Sequence, residues 1–229
     1  EDTDKNLIKT LDKGAFYFTP IERFLVTSKV IEIRDFAFAD CFKLVSVTFE
    51  SDSQLEIIEQ DAFSDSAISN ICIPRHVKTI EEGVFHYCSS LVSIDFEPNS
   101  ELTSIHSFAF ADSTIECLMI PANVVELNKS WCCGTTELID IIVSNFNQNF
   151  TFINDSLLLG KTDVFFDDLL FVSRSILRVV IPASVTRISP YAFSSCAYLQ
   201  TVEFEENSQL ILIDQYAFSS SFIVKFFRI

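Results

Sequence analysis

The run Ile181-Pro182-Ala183-Ser184-Val185-Thr186-Arg187-Ile188-Ser189-Pro190-Tyr191-Ala192-Phe193-Ser194-Ser195-Cys196-Ala197-Tyr198-Leu199-Gln200-Thr201-Val202-Glu203-Phe204 contains each position on which the fold depends. An Ala-Phe pair sits at its centre, an aliphatic side chain stands five residues before the Phe, and an aliphatic-x-x-apolar-x-apolar stretch closes it. The pair recurs as Ala15-Phe16, Ala37-Phe38, Ala62-Phe63, Val84-Phe85, Ala109-Phe110 and Ala217-Phe218, at steps that alternate between 22 and 25 residues. The aliphatic partner keeps the same time at Leu11, Ile33, Ile58, Ile80, Ile105, Ile188 and Ile213. Self-similarity at this period belongs to stacked units that cannot each bury an apolar face alone, so the chain reads as a repeat solenoid.

The closing stretches read as Ile21-Phe24-Val26, Leu44-Val47-Phe49, Ile68-Ile71-Ile73, Leu91-Ile94-Phe96, Ile115-Leu118-Ile120, Leu138-Ile141-Val143, Ile176-Val179-Ile181, Leu199-Val202-Phe204 and Val224-Phe227-Ile229. Their last two apolar positions are spaced by two and are rich in β-branched and aromatic residues, which predicts strands. A turn follows each strand, opened by proline in one repeat type (Pro74, Pro121, Pro182) and by Glu-x-x-Ser in the other (Glu50 to Ser53, Glu97 to Ser100, Glu205 to Ser208). Proline fixes φ and has no N–H to give a ladder, so it belongs just outside a strand. The result is an alternating array with a parallel concave sheet, β-dominated, closed on its convex side by short turns or helical turns. One repeat domain over residues 1–229 is expected.

One segment breaks the rhythm. Cys132 occupies the Phe position of the fifth full turn, and 61 residues separate it from Phe193, one 47-residue pair of repeats plus 14. The surplus lies in residues 144–175, where Asn145, Asn147, Asn149 and Asn154 punctuate apolar runs around Phe150-Thr151-Phe152 and Leu169-Leu170-Phe171. That pattern fits either an irregular, expanded repeat or a β-hairpin.

The Ile181 to Phe204 run resembles the BspA-type leucine-rich repeat, also called the Treponema pallidum type, and the resemblance extends over residues 8–143 and 176–229. It implies a leucine-rich-repeat horseshoe. It also implies a surface or secreted protein of the kind found in mucosal bacteria and parasitic protists, several of which are considered adhesins for host proteins.

If the apolar strand positions point inward, the residues between them cover the concave sheet. The outermost column is then Leu25, Thr48, Cys72, Asp95, Met119, Ile142, Val180, Glu203 and Arg228, and its neighbour is Arg23, Ser46, Asn70, Ser93, Cys117, Asp140, Arg178, Thr201 and Phe226. Met119, Ile142 and Val180, with Ile139 and Leu177 beside them, form an apolar centre flanked by Asp140 and Arg178. An exposed patch of this kind marks a protein-binding site. The alternative is that residues 144–175 fold over it.

Charge narrows the partners. The chain has 32 Asp and Glu against 16 Lys and Arg, a formal net charge of −16. Phosphate backbones need a basic footprint, so nucleic acid is excluded as an expected partner. No stretch reaches the roughly 18–20 apolar residues of a membrane span, and membrane insertion is not expected. The opening Glu1-Asp2-Thr3-Asp4 has neither the basic head nor the apolar middle of a secretion signal. With no initiator Met, the chain is expected to be an excerpt or a processed form. Ile229 falls on a strand without a polar cap, which implies either further repeats or an end-to-end homodimer.

Seven cysteines are present. Cys41, Cys88 and Cys196 stand three residues past a repeat Phe, where the other repeat type has Ser66, Ser113 and Ser221. Like positions lie two rungs or about 10 Å apart, beyond the roughly 7 Å Cα separation a disulfide allows. The column therefore reads as packing, and no zinc spacing is present. His76, His86 and His106 occupy unrelated repeat positions, and no serine lies in a Gly-x-Ser-x-Gly elbow. No catalytic residue, metal or cofactor is expected. Asn128, Asn149 and Asn154 begin Asn-x-Ser/Thr sequons, used for glycosylation if a eukaryote secretes the chain.

The function expected from these residues is non-enzymatic. The chain would be a cell-surface or extracellular module engaging a protein ligand, such as a host or extracellular-matrix protein, through its concave face. An intracellular, cytoplasmic interaction scaffold using the same face is the alternative, and a hydrolase grafted on the scaffold is a third reading.

Overall fold

The computed structural model describes residues 8–228 and shows a solenoid of parallel strands, with no helix among the described residues. Each regular turn carries two strands. A four-residue strand forms on the closing stretch, as in Ser46–Phe49 or Cys117–Ile120, and a two-residue strand forms on the aliphatic residue five before the Phe. The short strands Thr10–Leu11, Glu32–Ile33, Ile57–Ile58, Thr79–Ile80, Ser104–Ile105 and Glu126–Leu127 align as one six-stranded ladder. The aliphatic column of the sequence is thus a second sheet, with Leu11, Ile33, Ile58, Ile80 and Ile105 buried along its inner side.

Turns rather than helical turns close the convex side. The residues two before each repeat Phe position (Gly14, Phe36, Asp61, Gly83, Phe108, Ser130, Tyr191, Tyr216) have positive φ. So do those two after it (Phe18, Asp40, Asp65, Tyr87, Asp112, Gly134, Ser195, Ser220). An L-residue helix cannot pass through a left-handed residue at every fourth position. The arc instead bonds to the next turn, with the N–H of Phe16, Phe38, Phe63 and Phe85 donating to the carbonyls of Ala37, Ala62, Val84 and Ala109.

This arc aims the phenylalanines into the core as a column of near-parallel rings. Centroid separations are 5.0 Å for Phe16 and Phe38, 5.3 Å for Phe38 and Phe63, 5.7 Å for Phe63 and Phe85, and 5.8 Å for Phe85 and Phe110. Beside it runs the column of small polar side chains. Cys41 and Cys88 donate their thiols to the carbonyls of Phe16 and Phe63 in the preceding turn. Ser113 and Ser221 donate to the carbonyl of the Phe in their own turn, Phe110 and Phe218. All seven cysteines are free.

The turns that leave the four-residue strands are tied in the same repetitive way. Glu50, Glu97 and Glu205 each reach back to accept the backbone N–H of Ser28, Arg75 and Ala183 in the turn before. Ser53, Ser100 and Ser208 each accept the N–H two residues on. The Glu-x-x-Ser signature therefore satisfies two backbone donors that would otherwise be orphaned.

The inward and outward columns of the first eight closing strands follow the expected register, but the ninth slips by one. Lys225 lies opposite Thr201, Phe226 opposite Val202 and Phe227 opposite Glu203. The inward residues are thus Ile223 and Phe226, not Val224 and Phe227, and Phe227 takes the concave position assigned to Arg228. Ile229 lies outside the described residues. Spacing explains the correction, since Leu199 to Ile223 repeats the 24-residue step from Leu44 to Ile68, and a shift of one residue exchanges the two faces of a strand.

Residues 144–175 form a three-stranded antiparallel meander, Phe150–Ile153, Leu157–Lys161 and Phe166–Val172. Asn154 and Asp155, both with positive φ, make the first turn, which suits a tight hairpin between twisted strands. The third strand rejoins the array by pairing parallel to Arg187–Ile188. The Val172 N–H bonds to the Ala192 carbonyl, as a repeat Phe does to the turn after it. A hairpin thus opens the segment, and its last strand pairs with the next short strand of the array.

Candidate functional site

The four-residue strands Asn70–Ile73, Ser93–Phe96, Cys117–Ile120 and Asp140–Val143 form one sheet, and Arg178–Ile181, Thr201–Phe204 and Lys225–Arg228 another. Register sets Met119 directly beside Ile142 and Cys117 beside Asp140. Met119, Ile139 and Ile142 are each between 44% and 47% exposed. They stay exposed although the meander stands beside them, its Phe152, Lys161 and Phe166 walling a depression next to Ile142.

The rest of the expected apolar centre lies on the other side of the break. Leu177, Arg178 and Val180 belong to the second sheet, and no strand pair joins it to the first among the described residues. Arg178 is spanned by its own neighbour, Glu203, at 2.5 Å. The structure thus groups Met119, Ile139, Ile142 and Asp140, and separates them from Leu177, Arg178 and Val180.

Three depressions adjoin the first group. One of 340 Å³ lies over Thr48, Cys72, Asp95 and Glu97. The next, 440 Å³, is lined by Glu97, Met119, Ser144 and Phe146. The third, 610 Å³, is lined by Asp140, Ile142, Ser144, Asp155, Lys161 and Phe166. Glu97 belongs to the first two and Ser144 to the last two, so the depressions are neighbours and make a stepped groove across the turns. Phe146, missed by the sequence reading because it belongs to no repeat column, is 82% exposed at the groove's edge.

Electrostatics along the groove are one-sided. Asp95, Asp140 and Asp155 are exposed and Glu97 half-buried. The Cys72 thiol is held above its ordinary range by burial, then by Glu97 and Asp95. Burial, Asp140 and Asp95 do the same to Cys117. Lys161 is the one cation lining the three depressions, and it sits over the Phe166 ring at 4.8 Å.

Elsewhere the polar groups are occupied by structure. His76 meets Glu101 at 3.0 Å, His106 meets Glu81 at 2.8 Å and His86 meets Asp112 at 3.6 Å. Among the described residues no three His, Cys, Asp or Glu side chains converge to hold a metal, and no helix is long and apolar enough to cross a membrane. Of the sequon asparagines, Asn154 is exposed on the meander turn, whereas Asn128 and Asn149 are half-buried, with the Asn149 amide donating to the Val124 carbonyl.

A family model described as "BspA type Leucine rich repeat region" matches the chain in six copies, over residues 9–139 and 166–229. No curated protein matches the sequence. Among solved structures, the pneumococcal vaccine antigen PcpA is similar with a TM-score of 0.78 and 23% identity, covering 87% of this chain and 51% of that one. A leucine-rich cell surface protein from Faecalibacterium prausnitzii A2-165 is similar with a TM-score of 0.69 and 22% identity, covering 90% and 60%. A leucine-rich repeat protein from Eubacterium ventriosum gives 0.59 and 18%, covering 90% and 53%. The chain thus spans between about half and three fifths of the length of these structures, and at such identities the likeness is one of fold.

Proposed function

Because the chain belongs to the BspA-type leucine-rich repeat family, we propose that it works by binding a protein through its concave face, as a surface or secreted module with adhesin-like behaviour. The observation that carries this reading is the exposed Met119, Ile139 and Ile142 cluster on an ordered sheet, beside a groove. Apolar side chains held in a rigid array lose little entropy on contact, which suits them to anchor a partner. Leu177, Arg178 and Val180 on the second sheet would serve as a separate contact area. Two of the similar structures are described as a cell surface protein and a vaccine antigen, which supports a surface location.

The test is Met119→Asp with Ile142→Asp, offered with wild type to a panel of purified host and extracellular-matrix proteins. Both side chains are outward, so folding should persist while capture falls at least tenfold. Unchanged capture by the double variant would place the site elsewhere. An intracellular scaffold would use the same face, and native material with accessible Cys72 and an unmodified Asn154 would favour it.

A further inference from the structure

We propose that the groove holds an extended, positively charged polypeptide segment that also carries apolar side chains. The inference rests on the concave-face reading above and adds the chemistry of the partner to it. Shape gives the first argument. Three depressions in series, joined through Glu97 and Ser144, make a channel that crosses the turns. A globular protrusion fills one deep pocket, but a single extended chain can enter several shallow ones in succession. From the Cys72 turn to the Ile142 turn are three strand spacings, about 14 Å, the length of roughly four extended residues.

Charge gives the second. The channel presents Asp95, Glu97, Asp140 and Asp155, and its one cation, Lys161, is stacked on Phe166. Glu97 already accepts the Arg75 N–H at 3.0 Å, which leaves Asp95 and Asp140 as the exposed carboxylates on the sheet. Carboxylates of one sign along a groove set up a negative potential that repels an anionic ligand and attracts lysine or arginine side chains. The third argument is the alternation of these carboxylates with Met119, Ile142 and Phe146. A purely cationic segment would leave those apolar surfaces wet, whereas one with interspersed apolar residues covers them. Polynucleotides fail on the ground of charge, having the wrong sign.

The experiment measures binding of short labelled peptides by fluorescence anisotropy. One peptide mixes lysine with leucine, and the second replaces each lysine by glutamate. The proteins are wild type, D95K/D140K, M119D/I142D and, as a control of equal charge change on exposed sites away from the groove, E82K/E206K. Circular dichroism confirms that each variant is folded.

The expected result is binding of the lysine peptide at least tenfold tighter than the glutamate peptide. D95K/D140K should lose at least tenfold for the lysine peptide, and E82K/E206K should change it less than threefold. Equal loss in E82K/E206K would show attraction to net charge alone and overturn the groove. If M119D/I142D abolishes capture of protein ligands while D95K/D140K binds the lysine peptide like wild type, the concave site stands and its cationic occupant is wrong. No binding of the lysine peptide to wild type overturns the proposal outright.

Discussion

Residues 8–143 and residues 144–175 are held together by opposite means. In the regular array each turn repeats the same bonds, so that the Phe column, the small polar column and the short-strand ladder share the load among equivalent members. At the meander the column of stacked phenylalanines stops at Phe110. Trp131 meets it edge-on at 6.2 Å and passes the contact to Phe171 at 6.1 Å. Beyond it, Phe193 and Phe218 stack again at 4.4 Å. A few polar side chains take over at the break. Asn147 donates to the carbonyls of Pro121 and Val124 and accepts the N–H of Asn149 and Phe150. Arg174, 1% exposed, donates to the carbonyls of Thr135, Val172 and Ala192 and reaches the thiols of Cys132 and Cys196.

This contrast teaches where irregularity is costly. A buried guanidinium with no carboxylate beside it carries a desolvation penalty, offset here by backbone dipoles, two polarisable sulfurs and the face of Phe171 at 4.6 Å. Among the described residues the Trp131 indole N–H has no partner at the same place. Repetition has a different weakness: every member of a column depends on both neighbours.

The most damaging change should be Phe63→Ala, which opens the middle of the ring column. A buried Phe truncated to Ala costs about 3–5 kcal/mol. Denaturant melts should show that loss, with hydrogen exchange rising in the turns on either side of residue 63 more than beyond the meander.

Alkaline pH should separate the two regions next. Burial pushes the Cys88 thiol up to about 11 from its ordinary 9.0. The folded state therefore holds its proton more tightly than the unfolded state. The stability this contributes is complete below about pH 9 and is lost as pH rises towards 11. A shift of this size corresponds to roughly 3 kcal/mol. Cys88→Ser, which copies the side chain of Ser66 and Ser113, should flatten the alkaline limb of a stability-against-pH curve. Cys132 is pushed up to about 12 by burial despite Arg174, so the seam should contribute a limb of its own that Cys88→Ser leaves in place.

Arg174→Met tests the joint directly. It keeps a long apolar stem but leaves the Thr135 carbonyl without its donor, at about 1–3 kcal/mol. Arg174→Lys should not restore it, since one ammonium cannot reproduce the planar fork. Exchange should rise around residues 132–135 and 172–174 while the first four turns stay protected. Equal deprotection across the array would mean that the two regions unfold as one.

The smallest effect belongs to Gly83→Ala. Gly83 has φ +67°, and an added Cβ would lie 2.1 Å from a carboxylate oxygen of Asp61. Left-handed strain costs about 1–2 kcal/mol, and Asp61 can rotate away. A Tm drop of a few degrees is expected.

Much of the array was legible because its signals repeat: Ala-Phe, the aliphatic five before it and Glu-x-x-Ser each correspond to one observed contact. The left-handed positions were partly visible, since Gly14, Gly83 and Gly134 occupy them. They were masked where Phe36, Phe108, Tyr191 and Tyr216 stand instead, because bulky residues rarely adopt that conformation and the neighbouring turns impose it here. The ninth strand was misread because Phe226 and Phe227 are equally apolar and only register distinguishes them. Column counting put Met119, Ile142 and Asp140 on one face, and the strand register sets Met119 beside Ile142 with Asp140 on the same strand. Their separation from Leu177 and Val180 was not legible, and neither were Phe146 and the groove.

Sequence alone was enough for the solenoid, its alternating turns and the inward and outward columns of eight strands. These follow from local periodicity, and periodicity acts between neighbours along the stack. Tertiary structure decided the path of residues 144–175, the burial of Arg174 and the break between the concave sheets on either side of that segment. A segment without a repeat has no neighbour in the sequence to predict its partners, so its course is determined by which buried donors and acceptors must be satisfied where the two arrays meet.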